Sequence, residues 1–236
     1  MTPKEVIQNA LSDRLTKVAG AKVTLKLGDG LTLRELKEFE RRMPGTIPDE
    51  IRDLLNFTSG IEIDSFGVID FLGRNPFECE DLIPYGVPIL GDGDGDFWVI
   101  DIRQDTGIWG AVFFVCHDPS VIIIQAPMLT IFLEQIVQSF KPPHTNLLSY
   151  VKDEVVYKID DAYPHFIDLE EARRSPDPII STFAKELPDT FKVIDLRSAE
   201  VGSGFNYLVS GIETKVKRCR AELIFARARL AGCNGG

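Results

Sequence analysis

Asp92, Asp94 and Asp96 alternate with Gly91, Gly93 and Gly95. Carboxylates at positions 1, 3 and 5 open an EF-hand calcium loop, which also needs a glycine at position 6 and a bidentate glutamate at position 12. Here those positions hold Phe97 and Arg103, so the turn residue and the closing ligand are both missing. The glycines do not make a phosphate cradle either, because the interleaved carboxylates would repel the anion. His117, His144 and His165 lie far apart without zinc-ligand spacing, and read as loop or surface residues. Cys79, Cys116, Cys219 and Cys233 form no C-x-x-C pair, and no G-x-S-x-G elbow is present. The residues point to no metal, no cofactor and no catalytic group.

The hexapeptide therefore reads as a tight turn, since glycine and aspartate both favour turns over regular elements. It feeds a strand, Phe97 to Ile102, followed closely by apolar runs at Trp109 to Cys116 and Val121 to Gln125. Links this short join antiparallel neighbours. The run from Trp109 is apolar on both faces: Trp109, Ala111, Phe113 and Val115 on one, Val112, Phe114 and Cys116 on the other. It is expected to be a central strand covered on two sides. A helical stripe from Leu129 through Phe132 to Phe140 then lies on the sheet.

Upstream, Thr2-Pro3-Lys4-Glu5 and Thr32-Leu33-Arg34-Glu35 are capping boxes that open helices, the first carried by its apolar stripe to Gly20. Lys22 to Leu27 alternates as a half-buried strand, and Pro48 starts a third helix with Ile51, Leu54 and Leu55 facing inward. Trp98, Trp109, Phe113, Leu54 and Phe132 are read as core. After Lys141 the pattern is mixed: helix, or helix plus strand, over 147–159, short helices near 169–174 and 179–187, a strand at Phe191 to Leu196, and a turn at Gly202-Ser203-Gly204. Ile212, Val216, Cys219, Leu223, Ala226 and Leu230, spaced 4, 3, 4, 3 and 4, predict a final helix. The expected fold is α+β, a mostly antiparallel sheet with helices against it over 1–143, and a mixed α/β extension over 144–236.

Of 236 residues 36 are acidic and 26 basic, for a formal charge of −10, which argues against nucleic acid or an anionic membrane as the main ligand. The charge is uneven. Between Glu78 and Asp105 eight acids face one base, and between Glu213 and Arg229 six bases face two acids. Glu78, Glu80, Asp81, Asp92, Asp94, Asp96 and Asp105 are accordingly the candidate contacts to a basic partner, the aspartates of the turn projecting from the rim of the sheet. The basic C-terminal stretch reads as a solvated flank or a contact with the protein's own acidic turn. No apolar signal region opens the chain and no apolar run reaches membrane-spanning length, so a cytoplasmic protein is expected.

Leu36-x-x-Phe39-Glu40, Ile47-Pro48-Asp49-Glu50-Ile51-Arg52-Asp53-Leu54-Leu55 and Ser59-Gly60 resemble the opening of the SUKH superfamily. The later stretch from Pro88 to Asp101, the Trp109 strand and the helix to Phe140 are similar to the rest of it. The resemblance covers about 31–140. Ser59-Gly60-Ile61 stands where a Gly-Gly pair is frequent, and the residues after Lys141 have no counterpart. It implies a non-enzymatic module, foremost an immunity protein that neutralises a toxin such as a nuclease, with a regulatory or scaffold module of the fungal cell-wall-regulator type as the alternative.

Overall fold

Both capping boxes form as their sequences require. The Thr2 and Thr32 hydroxyls accept from the amides of Glu5 and Glu35, whose carboxylates accept in return from the cap amides. The computed structural model describes residues 1–64, 66–75, 82–159, 166–208, 214–220 and 222–229. The first helix, α1 (Pro3–Ser12), stops well short of Gly20. Its stripe is broken because Leu15 and Val23 turn inward on either side of a Thr16–Lys22 bridge, with Gly20 at φ +82° and Val18 left exposed. Then come β1 (Leu25–Leu27), α2 (Leu33–Glu40), α3 (Asp49–Phe57), β2 (Gly60–Ile63) and β3 (Gly67–Asp70). The three strands pair in the order β1-β2-β3.

The central sheet follows in chain order as β4 (Val87–Gly91), β5 (Phe97–Ile102), β6 (Trp109–His117) and β7 (Ser120–Ala126), all antiparallel, and then α4 (Leu129–Ser139). As expected, β6 is buried on both faces. Val112, Phe114 and Cys116 join a core with α1, α3 and α4, while Ala111, Phe113 and Val115 meet the C-terminal sheet. Trp109 departs from its expected face. A register shift pairs Ile100 with Val112 but Ile102 with Trp109, and the extra residue turns the indole to the helical side, 6.3 Å from Phe39.

Beyond α4, a short helix α5 (Leu147–Tyr150) runs into a π-helical turn (Val151–Val155) and a 3-10 turn (Val156–Lys158). Its apolar side, Leu148, Val151, Val155, Val156 and Ile159, belongs to the same core as α1 and α4. Next are β8 (Phe166–Asp168), α6 (Leu169–Arg173), α7 (Pro178–Lys185), β9 (Phe191–Asp195), β10 (Gly204–Asn206), β11 (Thr214–Arg218) and β12 (Ile224–Arg229). The expected turn at Gly202 to Gly204 runs straight into β10, which adds to the central sheet beside β7, giving the order β10-β7-β6-β5-β4. Gly204 is required there, because a Cβ would lie 2.1 Å from the Ile122 carbonyl oxygen.

The final helix predicted from the 4-3-4-3-4 spacing is instead a hairpin, β11 and β12, in a four-stranded sheet of order β11-β12-β9-β8, the second of the two larger sheets and hereafter the second sheet. The seam is split, Val216 packing on the side of the central sheet and Ala226 on the side of α6 and α7, because Thr214–Arg218 and Ile224–Arg229 each alternate with period two between the two faces of the sheet. Ile224, Ala226 and Ala228 pack on α6 and α7, while Phe225 faces the central sheet, 5.0 Å from Phe205. A lone helix could not fill both gaps. Ile212 and Leu230 of the predicted seam lie outside the described residues, as does Glu213.

The architecture is thus α+β with antiparallel pairing throughout the described strands: α6 and α7, the second sheet, the central sheet, and the helices around α1, α3 and α4 in successive layers. Leu54, Phe113 and Phe132 are fully buried, and Trp98 and Trp109 nearly so. Trp98 Nε1 donates to Gln125 Oε1, whose amide donates to Gln135 Oε1, so the indole's polar atom is satisfied inside the core. Among the described residues no helix is long and apolar enough to cross a membrane.

Candidate functional site

The acidic turn closes the β4–β5 hairpin, and it is ordered by its own carboxylates. Asp92 Oδ1 accepts from the amides of Asp94 and Asp96 at 2.8 and 3.1 Å, and its amide donates to the Asp96 carbonyl. That tight closure needs Gly93 and Gly95 at φ +91° and +102°. Asp92 Oδ2 meets Lys152 Nζ at 2.6 Å, with the Asp92 side chain only 4% exposed. Burial pushes the Asp92 carboxyl up, but the Lys152 ammonium and the two turn amides outweigh it and hold it below the usual carboxylate value.

Asp96 turns the other way. Its Oδ1 accepts from the amide and the ring Nδ1 of His117, at 3.0 and 2.7 Å. That bond to Asp96 raises the His117 pKa, with Asp118 and Asp92 adding to the effect. The sequence placed His117 in a loop as an isolated residue; it is the second support of the acidic turn. Lys152, from the π-helical turn, is the first. Its role carries no local sequence signal, since sixty residues separate it from Asp92.

The candidate acids therefore divide. Asp92 and Asp96 face inward and hold the turn, and Asp94 projects, 82% exposed and 3.8 Å from Lys152. Asp105 lies in the β5–β6 loop, paired to Arg103, which also reaches Glu222 at 3.2 Å. Glu78, Glu80 and Asp81 lie outside the described residues, together with His165, Cys79 and Cys233. Around the turn, the exposed Asp118 follows His117, and Asp153 and Glu154 follow Lys152. On the same helical run Tyr150 and Tyr157 are exposed, with Lys158 Nζ 5.6 Å over the Tyr150 ring. Exposed tyrosines beside charge are the side chains that anchor protein interfaces.

No group of three or more His, Cys, Asp or Glu among the described residues could hold a metal ion. Asp92 could not open such a site without releasing the amides it binds. Cys116 is buried, and desolvation raises its thiol pKa to about 12, which removes the thiolate a nucleophile needs.

The order of these elements, from α2 through the acidic hairpin to α4, has a counterpart among known families: residues 30–135 match the SMI1 / KNR4 family (SUKH-1). This segment belongs to the SUKH superfamily. No curated protein and no solved structure matches the chain. The SUKH segment contains the acidic turn and His117, whereas Lys152, which fixes the turn from outside, follows the segment.

Proposed function

We propose that the protein is a non-catalytic binding module that docks a basic protein through the rim around Asp94, and that this partner is a toxin domain. The observation that carries the reading is the division of labour in the turn. Asp92 and Asp96 are spent on rigidity, so Asp94 is presented on a fixed backbone, with the exposed Asp118 and Asp153 next to the two supports of the turn, His117 and Lys152. A preorganised acidic turn loses little entropy on binding and steers a basic surface into place. Nucleases fit best among toxins, because the groove that binds phosphate must be basic. The match to the SUKH-1 family supports an immunity or cell-wall-regulator module. Binding takes place in the cytoplasm, where the partner must be held before release.

The test is affinity capture with the wild-type chain and with an Asp94→Lys/Asp118→Lys/Asp153→Lys bait, followed by co-expression of the captured protein. A basic protein held by the wild type, lost from the reversed bait, and toxic only without the wild-type chain is the expected result. A partner retained equally by both baits removes the acidic rim from the interface. A captured protein that is not toxic moves the assignment to the regulatory branch of the family.

A further inference from the structure

A second surface lies on the outermost helical layer, distant from the acidic rim and opposite to it in charge. Helix α7 buries Ile180 and Ala184 against the second sheet and turns Ile179 and Phe183, four residues apart, toward the end of β11. The helices do not reach across that strand. Between them is an open cleft of about 580 Å³, floored by Ile179, Phe183 and Cys219 and flanked by Lys217 and Arg220. Ile179 is 40% exposed, and Phe183 and Cys219 are half-buried.

We propose that this cleft binds an acidic, extended peptide segment of a partner protein, seating an apolar side chain between Ile179 and Phe183 and carboxylates at Lys217 and Arg220. Three observations select that chemistry. Lys217 and Arg220 have no ion-pair partner among the described residues, whereas Arg218 between them is committed to Asp101. The cleft therefore offers cationic charge that no described carboxylate neutralises, Lys217 resting only on the Phe191 ring at 5.6 Å, over an apolar floor and against a single acid, Glu186, in its described lining.

The second observation is topological. Among the described residues β11 is the outermost strand of its sheet, so an extended segment can lie along it, with alternate side chains entering the cleft. The third excludes a second copy as occupant. Lys215 and Lys217 repeat along the strand, and two such strands side by side would oppose lysine to lysine. An acidic segment turns the same charges into attraction.

The surface is independent of the acidic rim. Asp101, near the far end of β5 from the turn, meets Arg218 at the base of the cleft, so about 17 Å of strand separates the two regions. One chain would then hold a basic partner at one end and an acidic segment at the other.

The test uses a fluorescein-labelled nonapeptide of alternating leucine and glutamate, titrated with the full-length protein by fluorescence anisotropy. Controls are the same peptide with glutamine for glutamate, and sodium decanoate as competitor. Saturable binding is expected, weakened at least tenfold by Lys217→Gln/Arg220→Gln and by Ile179→Glu, and unaffected by Asp94→Asn. Circular dichroism melts of each variant confirm folding; Lys217, Arg220 and Ile179 are all exposed, and the one ring contact the glutamine pair removes is that of Lys217 Nζ, 5.6 Å over Phe191. Equal binding of the glutamine peptide, or full binding by the glutamine variant, overturns the proposal. So does decanoate displacing the peptide at lower concentration than the peptide itself binds, which assigns the cleft to small amphipathic anions. Concentration-dependent dimerisation in sedimentation, abolished by Ile179→Glu, overturns it in favour of a second copy. Failure at Lys217 and Arg220 leaves the Asp94 interface standing, because that is read from a different partner.

Discussion

Asp101 and Arg218 form a two-pronged ion pair, Oδ1 to Nη1 and Oδ2 to Nη2 both at 2.7 Å, with side chains only 2% and 6% exposed. Arg218 also donates to the carbonyls of Leu82 and Glu222. The pair joins β5 of the SUKH segment to β11 of the second sheet, so the acidic and basic stretches of the sequence meet inside the molecule. Its charges cancel each other and are not available for recognition.

Breaking that pair on one side strands a buried charge. Arg218→Met is expected to cost about 3–5 kcal/mol, since Asp101 then loses the guanidinium paired to both its oxygens while remaining dehydrated. The double change Asp101→Leu/Arg218→Met should recover much of the loss. Urea melts of both variants decide this; equal stability of the single variant and wild type would mean that the two sheets separate in solution.

The turn separates a structural from a recognition carboxylate. Asp92→Ala removes the acceptor for two amides and the partner of Lys152, and should destabilise the fold by about 1–3 kcal/mol. Asp94→Asn should leave the melt unchanged, slow association with the basic partner, and reduce the salt dependence of that rate. Stopped-flow association beside thermal melts checks both. A structural cost for Asp94→Asn, or normal kinetics, contradicts the assignment.

His117 should titrate above the ordinary value of 6.5, because Asp96 holds its imidazolium. A folded pKa above the unfolded one contributes stability that is fully present below the unfolded pKa and is lost as pH rises through the folded pKa. Stability should therefore fall as pH is raised above about 6.5, and Asp96→Asn should bring the His117 pKa down. Proton NMR of the imidazole, read with melts across the same pH range, measures it.

The hairpin at the end of the chain predicts a ranking opposite to that of a helix. Phe225 is fully buried against Phe205, and Phe225→Ala should cost about 3–5 kcal/mol. Leu223 is half-buried in the β11–β12 turn, and Leu223→Ala should cost well under half of that. In a helical seam Leu223 would be the more costly of the two. Equilibrium unfolding of the two variants ranks them.

A core change anchors the scale. Trp98→Ala should cost about 3–5 kcal/mol, because it opens a cavity beside Phe114, 4.8 Å away, and leaves Gln125 without its indole donor. A loss below 1 kcal/mol in urea melts would place Trp98 outside the packed core.

The caps at Thr2 and Thr32, the helix from Asp49, the strands flanking Gly91 to Asp96 and the buried roles of Trp98, Phe113, Leu54 and Phe132 were all legible in the sequence. Each depends on residues within a turn or two, or on alternation that only a sheet can bury. The SUKH resemblance was legible for the same reason, being carried by short ordered motifs that residues 30–135 retain. What the tertiary structure alone decided is where distant pieces land. The run from Thr214 to Arg229 satisfies both a helical and a strand period, and it became a hairpin because two layers had to be filled from opposite faces of one element. Trp109 changed faces through one extra residue in a ladder. Asp92 and Asp96 turned inward because Lys152 and His117, sixty and twenty-one residues away, stand where their carboxylates are dehydrated and need a donor. A count of acids along the chain gives net charge, but only the fold determines which of those charges still face solvent after the ion pairs have formed.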